Sequence, residues 1–230
     1  MSDVAVQVLK RVLLPVALLF GVMVALGLLI TKVMLHVWPL TAEDSINREL
    51  ERDRTGEGNA VSGFFSMVGS TPVIIGVTAL AAIVLRLTLK RWREPIFLCT
   101  AVTAQALVFF LTTLVIDRRR PSVGHLDSSP PTSSFPSGHT SASVALYVGL
   151  ALVLSLLVQR TGLKAACWLL VLVPVAVAVA RMYRGMHHPT DVLASFLNGA
   201  VCVWVMARAF LDRSVRWARE HNPARRLAHG

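Results

Sequence analysis

Charged residues are scarce in this chain of 230 residues, because lysine, arginine, aspartate and glutamate together make up 16% of it, against about a quarter in soluble proteins. Apolar residues make up 54%, and they gather in stretches about 20 residues long, the length at which a helix crosses a hydrocarbon core about 30 Å thick. This composition excludes a soluble globular domain. It predicts an all-α, polytopic membrane protein.

Cysteine is also rare, and Cys99, Cys167 and Cys202 all lie in apolar stretches, where a thiol behaves as a small hydrophobic group. They therefore indicate neither a disulfide framework nor a metal site. Acidic residues are fewer than basic ones, 13 against 23. The basic residues flank the apolar stretches instead of forming one stripe, which is typical of membrane proteins, so we predict no binding of nucleic acid.

Six apolar stretches are long enough to cross a membrane, and they cover residues 12–30, 72–89, 95–116, 140–158, 163–180 and 192–211. The first is similar to a signal peptide, but it is too long and no small-residue cleavage site follows, so we expect it to be retained. We predict one membrane domain, 1–230, with its catalytic core at about 95–212. A polar outer connection at 39–71 and a basic cytoplasmic tail at 213–230, attracted to anionic lipid, complete it.

The distribution of lysine and arginine predicts the orientation. With six spans both termini share one side, and placing the N-terminus in the cytoplasm puts 14 of the 23 basic residues inside, as the positive-inside rule requires. Short loops and compact size favour a bacterial plasma membrane. The sequence leaves the oligomeric state and the role of the connection 39–71 open.

Three polar clusters then lie on the outer face. They are 118–121 after the third span, 136–139 before the fourth, and 181–191 between the fifth and the sixth. Arginines in the first and third clusters stand where the positive-inside rule disfavours them, which indicates a function beyond topology. Arg119 and Arg184, taken singly, fit the ordinary behaviour of arginines that reach lipid headgroups.

The second cluster predicts an anion site. Proline suits the first position of a helix, so after Pro136 the backbone amides of Ser137, Gly138 and His139 are expected to have no partner within the helix. Free amides at the positive end of a helix bind anions, glycine permits close approach, and the serine adds a hydroxyl. A tetrahedral oxyanion such as phosphate fits best, with arginines of the other clusters as its counter-charge.

The third cluster predicts a nucleophile. Pro189 begins the sixth span, so His187 precedes the helix and Asp191 lies in its first turn, from which its carboxylate can reach the imidazole. A carboxylate of this kind fixes which ring nitrogen carries the proton and stabilises the cation that forms on attack. His139, beside the same anion site, can protonate a leaving oxygen.

The spacing of these residues, Arg120-Pro121, the 136–139 run, and Arg181 followed by His187 and Asp191, resembles the three-part signature of the type-2 phosphatidic acid phosphatase superfamily, which includes the vanadium haloperoxidases. The resemblance implies a nucleophile, an acid and an orienting carboxylate at His187, His139 and Asp191. It implies phosphate ligands at Arg120, Ser137, Gly138 and Arg181. It adds no cofactor.

Two positions depart from the family pattern. The lysine usually seven residues before the first-motif arginine is Thr113 here, and the serine usually before the third-motif arginine is Ala180. Arg118 or Arg119 can replace the missing cation, because a guanidinium holds phosphate oxygens in a bidentate way. We include Arg118 among the predicted phosphate ligands.

Some residues of these clusters also allow a different interpretation. His187 and Asp191 are also spaced like metal ligands, and His139 or His188 can complete a zinc site, but nearby arginines oppose a divalent ion, so we predict no metal. His125 and Asp127 lie in a segment rich in serine and proline, where turn formation is the more common role and substrate contact is the alternative.

The predicted function is an integral membrane phosphatase that hydrolyses lipid phosphate monoesters, of the phosphatidic acid type, through a phosphohistidine. Undecaprenyl pyrophosphate, a cell-wall carrier, is the alternative substrate. A noncatalytic lipid-binding or transport protein is the alternative of another class, and a haloperoxidase is the enzymatic rival, with poor access to soluble halide. The predicted partners are a membrane lipid and the bilayer.

Overall fold

A computed structural model describes residues 3–34, 37–38, 40–128 and 132–212 of the chain. Within these ranges the chain forms helices and no strand. We label the main helices α1 Ala5–Val33, α2 Leu40–Arg52, α3 Gly56–Val68, α4 Thr71–Leu89, α5 Arg93–Val115, α6 Gly138–Leu157, α7 Thr161–Tyr183 and α8 Pro189–Leu211. The predicted basic tail, 213–230, lies outside the described residues.

Six of these helices, α1 and α4 to α8, are long and apolar enough to cross a membrane, which confirms the predicted all-α bundle of six spans. The helices extend past most of the predicted limits. Helix α1 begins at Ala5 and so includes Lys10 and Arg11, and α7 continues to Tyr183. A span keeps its helical hydrogen bonds where the hydrophobic stretch ends, because backbone groups at the membrane boundary still need partners.

Helices α6 and α8 lie at the centre of the bundle. In each, 56% of the residues of an 18-residue apolar stretch are buried, against 17% in α4. Their close approach depends on Gly199, because a Cβ there would lie 2.7 Å from the carbonyl oxygen of Ser141. Polar bonds join α5 to both helices: Ser141 Oγ donates to Gln105 Oε1 (2.8 Å) and Asn198 Nδ2 donates to the Gln105 carbonyl (3.2 Å). Small residues and interhelical hydrogen bonds are the usual means by which membrane helices pack.

The polar connection predicted at 39–71 contains the helices α2 and α3, and both lie against the C-terminal half of α7. Thr55 caps α3 by accepting from the amide of Gly58 (3.0 Å), an ordinary N-cap. Arg54 fixes the helix pair to α7, because its Nε and Nη2 donate to the Tyr183 carbonyl (3.0 and 2.9 Å). The sequence left the role of this connection open. In the structure it forms a helical layer over one end of the bundle.

Candidate active site

The three polar clusters meet at the end of the bundle that α2 and α3 cover. The amide of Ser134 donates to the Arg118 carbonyl (2.8 Å), and Arg120 Nη1 donates to the Met186 carbonyl (2.8 Å). The first bond joins the two ends of the segment between α5 and α6, and the second joins this segment to the turn between α7 and α8. Stretches that are far apart in sequence therefore form one surface.

The imidazole of His187 is buried, and its Nδ1 lies 2.8 Å from the carbonyl oxygen of Ser134. A carbonyl only accepts hydrogen bonds, so Nδ1 carries the proton of the neutral ring and Nε2 keeps its lone pair. Burial lowers the pKa of His187 to about 3, against the opposing charge of Asp191 and with the help of Arg181 and Arg120. Such a pKa keeps the imidazole neutral at physiological pH.

The carboxylate of Asp191 does not make the hydrogen bond to His187 that the spacing suggested. Its Oδ2 lies 3.9 Å from His187 Nδ1, beyond hydrogen-bond distance. Oδ2 accepts instead from Ser134 Oγ and from the backbone amide of His188 (2.8 Å), and Oδ1 accepts from Arg118. The expected orienting contact is thus supplied by the Ser134 carbonyl, while Asp191 acts on the imidazole through its charge.

Arg118 is bound by carboxylates on two sides. Its Nη1 donates to Asp191, and its Nη2 donates to Glu43 Oε2 of α2 (2.6 Å). Glu43 Oε1 also accepts from the amide of Thr190 in the first turn of α8 (2.7 Å). The prediction that Arg118 binds phosphate does not fit this geometry, because its guanidinium is already held by Asp191 and Glu43.

Arg120 and Arg181 remain as candidate phosphate ligands. Both have a buried Nε with no hydrogen-bond partner among the described residues, a costly state that an anion would relieve. Burial lowers the pKa of Arg120, opposed by the charge of Asp191. The charges of both arginines act on the imidazoles of His187 and His139.

The start of α6 differs from the prediction in one respect. Ser137 is the N-cap, not part of the first turn, and its hydroxyl accepts from the amide of Thr140 (3.4 Å). Its own amide donates to Ser195 Oγ (2.7 Å) and is not available to an anion. The amides of Gly138 and His139 make no hydrogen bond with a described residue and can still serve the predicted anion site. A Cβ at Gly138 would lie 2.9 Å from the ring of Phe109, so the glycine is needed for packing.

A cavity of about 260 Å³ lies between α3 and the start of α6. It is lined by Gly63, Ser66, Met67, Ser70, Asp127, His139 and Arg181. Four of these residues belong to α3 or follow it directly, so the helical layer forms one wall. The imidazole of His139 borders the cavity, whereas the buried His187 is not among its lining residues.

Asp127 connects two arginines beside this cavity. Its Oδ2 accepts from Arg181 Nη1 and from Ser66 Oγ (2.9 Å), and its Oδ1 accepts from Arg184 Nε (2.9 Å). Burial raises the pKa of Asp127, but the bonds from Arg184 and Ser66 and the charges of both arginines outweigh it, so the net pKa is lowered. For His125 and Asp127 the sequence predicted turn formation as the more common role and substrate contact as the alternative. His125 fits the first, since its Nε2 lies 3.1 Å from the Pro121 carbonyl.

The position of the missing family lysine supplies no cation. Thr113 donates its hydroxyl to the Phe110 carbonyl of its own helix (2.7 Å), and Arg119 is exposed. His188, the candidate zinc ligand, lies between Asp191 (3.3 Å) and Asp44 (3.6 Å). Within the described ranges no three histidine, cysteine, aspartate or glutamate side chains form a group able to hold a metal ion.

Comparisons with known proteins identify the family to which the sequence is similar. A family model described as the PAP2 superfamily matches residues 94–214, which include both histidines and all three clusters. A curated relative, the bacitracin transport permease protein BcrC of Bacillus licheniformis, is 32% identical over 81 residues, or 35% of this chain and 36% of the relative. The chain thus aligns with about a third of that protein's length.

Two solved structures have a similar fold. The crystal structure of a transmembrane PAP2 type phosphatidylglycerolphosphate phosphatase from Bacillus subtilis superposes with a TM-score of 0.72 at 21% identity, over 88% of this chain and 98% of the other. The crystal structure of LpxE from Aquifex aeolicus gives a TM-score of 0.58 at 20% identity, over 75% of this chain and 98% of the other. The bundle is therefore a known membrane fold.

Proposed function

The chain belongs to the PAP2 superfamily, and on this premise we propose that it is an integral membrane phosphatase that hydrolyses lipid phosphate monoesters through a phosphohistidine at His187. One observation carries the proposal. The Ser134 carbonyl holds the proton of His187 at Nδ1 (2.8 Å), so the lone pair of Nε2 is available while two arginines act on the same imidazole. This is the arrangement that attack on a phosphoryl group requires.

The reaction has two displacements at phosphorus. His187 Nε2 forms a bond to phosphorus as the bond to the leaving oxygen breaks, and His139 protonates that oxygen so that an alcohol departs. Arg120, Arg181 and the amides of Gly138 and His139 stabilise charge on the equatorial oxygens. Water, deprotonated by His139, then displaces His187 and releases inorganic phosphate. The nearby charge of Asp191 stabilises the imidazolium of the intermediate.

An amphiphilic substrate of the phosphatidic acid type fits the surroundings of the cavity. Helix α3 exposes Val61, Phe64 and Met67, each more than half accessible, and Met67 also lines the cavity. Apolar side chains beside a polar cavity suit a lipid whose headgroup enters while its tail stays in the bilayer. The excess of basic residues at the opposite end favours a site on the extracytoplasmic face, with both termini in the cytoplasm.

The test is release of inorganic phosphate from dioleoyl phosphatidic acid by the protein purified in detergent. His187→Ala should lower kcat by at least about a thousandfold, as loss of a nucleophile does in other enzymes. His125→Ala, a change of a histidine whose Nε2 lies 3.1 Å from the Pro121 carbonyl, should retain activity. An acid-labile phosphoryl group should be trapped in the wild type and be absent from His187→Ala. Undiminished phosphate release by His187→Ala would refute the proposal.

A transport protein is the second candidate, because the curated relative is named a transport permease. Binding of the lipid phosphate without release of phosphate by the wild type would favour it. Full activity in the presence of a chelator is expected for the phosphatase, whereas a loss restored only by zinc would support the metal alternative. A panel that includes undecaprenyl pyrophosphate compares the alternative substrate directly.

A further inference from the structure

The leaving group of the proposed reaction belongs in the cavity beside α3. In-line displacement places the leaving oxygen opposite the attacking nitrogen of His187. The acid that protonates this oxygen, His139, borders the cavity, and His187 does not. The open space next to the acid is therefore the space for the group that departs.

The residues that line this cavity carry one formal charge of each sign. Among the described residues that line it, Arg181 and Asp127 are the ones with a formal charge. They are paired through Arg181 Nη1 and Asp127 Oδ2, and the other carboxylate oxygen is held by Arg184. The Asp127 side chain is still 26% exposed. A group that enters the cavity therefore meets a carboxylate and an arginine whose charge is already partly neutralised.

This balance separates two classes of lipid substrate. A phosphate monoester releases an alcohol, which brings no charge into the cavity. A lipid diphosphate attacked at its terminal phosphorus releases the lipid monophosphate. This leaving group brings at least one negative charge close to the carboxylate. Like charges in a partly buried site repel each other by an amount that changes rates at least severalfold.

We propose that Asp127 is a specificity-determining residue, whose carboxylate disfavours an anionic leaving group and so makes the enzyme prefer lipid phosphate monoesters to lipid diphosphates. The inference rests on the proposed function, since it assigns the leaving-group side of that reaction. Ser66 and Arg184 hold the carboxylate in place (2.9 Å each). The residue lies in the segment that the sequence assigned to turn formation.

Farnesyl phosphate and farnesyl diphosphate, which share one tail, are the probes. The wild type should give the higher kcat/KM with the monophosphate. Asp127→Asn keeps an oxygen acceptor for the arginines and removes the charge, so the ratio of kcat/KM for diphosphate to that for monophosphate should rise about tenfold. Asp127→Glu, which keeps the charge, should leave the ratio within about threefold of the wild type.

Two control variants separate charge from geometry. Ser66→Ala removes one hydrogen bond to Asp127 and leaves its charge, so the substrate ratio should stay unchanged even where both rates fall. Asp53→Asn removes an exposed charge from the end of α2 and should alter neither rate nor ratio. An equal rise of the ratio in Asp53→Asn would assign the effect to the general surface charge and overturn the proposal.

The outcomes distinguish this inference from the proposed function. Hydrolysis of neither probe by the wild type would remove the proposed function itself. Hydrolysis by the wild type with an unchanged ratio in Asp127→Asn would overturn the role of Asp127 alone. Where Asp127→Asn does not fold, the wild type decides: a preference for the diphosphate contradicts the inference, and a preference for the monophosphate supports it.

Discussion

Removal of the Glu43 carboxylate should weaken the attachment of the helical layer of α2 and α3 to the candidate active site. Glu43 is buried in α2, where it binds Arg118 Nη2 (2.6 Å) and the amide of Thr190 (2.7 Å). Arg118 in turn binds Asp191. Glu43→Ala would leave a buried guanidinium with one carboxylate in place of two, and it would leave a backbone amide in the first turn of α8 without its acceptor.

The magnitude follows from the burial of both partners. The side chains of Arg118 and Glu43 are 10% and 5% exposed, and breaking a buried ion pair by removing one partner costs about 3–5 kcal/mol. Asp191 remains as a partner of Arg118, which reduces this figure, while the unpaired amide of Thr190 adds about 1–3 kcal/mol. We expect a loss of about 3 kcal/mol in the free energy of unfolding.

The assay is unfolding of the purified protein in mixed micelles of a mild detergent and SDS, followed by a thiol-reactive dye. Cys202 is fully buried in α8, so its reaction with the dye reports opening of the bundle. Glu49→Ala is the matched control, because Glu49 is an exposed glutamate of the same helix and its loss should cost less than about 0.5 kcal/mol. Equal stability of the two variants would refute the role assigned to Glu43.

Three further changes test single contacts. Gly138→Ala should lower stability and activity, because its Cβ would lie 2.9 Å from the ring of Phe109, and Phe109→Leu in the same chain should restore part of the loss. Gly199→Val should prevent close packing of α6 and α8, seen as a lower thermal midpoint, since even a Cβ would lie 2.7 Å from the Ser141 carbonyl oxygen. Burial lowers the pKa of His187 from its ordinary 6.5 to about 3, so the unfolded chain binds the extra proton and stability falls as the pH drops below 6.5. His187→Gln should remove about 2 kcal/mol of that fall between pH 6.5 and 4.5, measured by unfolding at each pH.

Hydropathy predicted the spans and the end at which the polar clusters meet, because a membrane helix must satisfy its backbone and bury its apolar length within itself. Periodic patterns could not predict Ser134 as the partner of His187, since that contact is made by a backbone carbonyl, which every residue carries. Glu43 was also missed as a member of the site, and for Asp127 substrate contact was only the alternative to turn formation. Each lies in a polar connection whose path depends on tertiary contacts and has no sequence signal of its own.

The two sets of ion pairs around the site carry opposite excess charge. Glu43, Arg118 and Asp191 contain two carboxylates and one guanidinium, and they lie on the side of His187. Arg184, Asp127 and Arg181 contain two guanidiniums and one carboxylate, and they lie on the side of the cavity and His139.

In the proposed reaction the excess negative charge would stabilise the imidazolium that attack by His187 creates, and the excess positive charge, with Arg120, would attract the phosphoryl group. Exchange of these charges would oppose both steps. A charge-reversing pair, Glu43→Arg with Arg118→Glu, keeps the local ion pair but moves the negative charge next to Asp191. It should fold less stably than the wild type and lose activity, because the glutamate introduced at position 118 would lie next to the carboxylate of Asp191. Retention of full activity by this double variant would show that the position of the charges does not matter to the reaction.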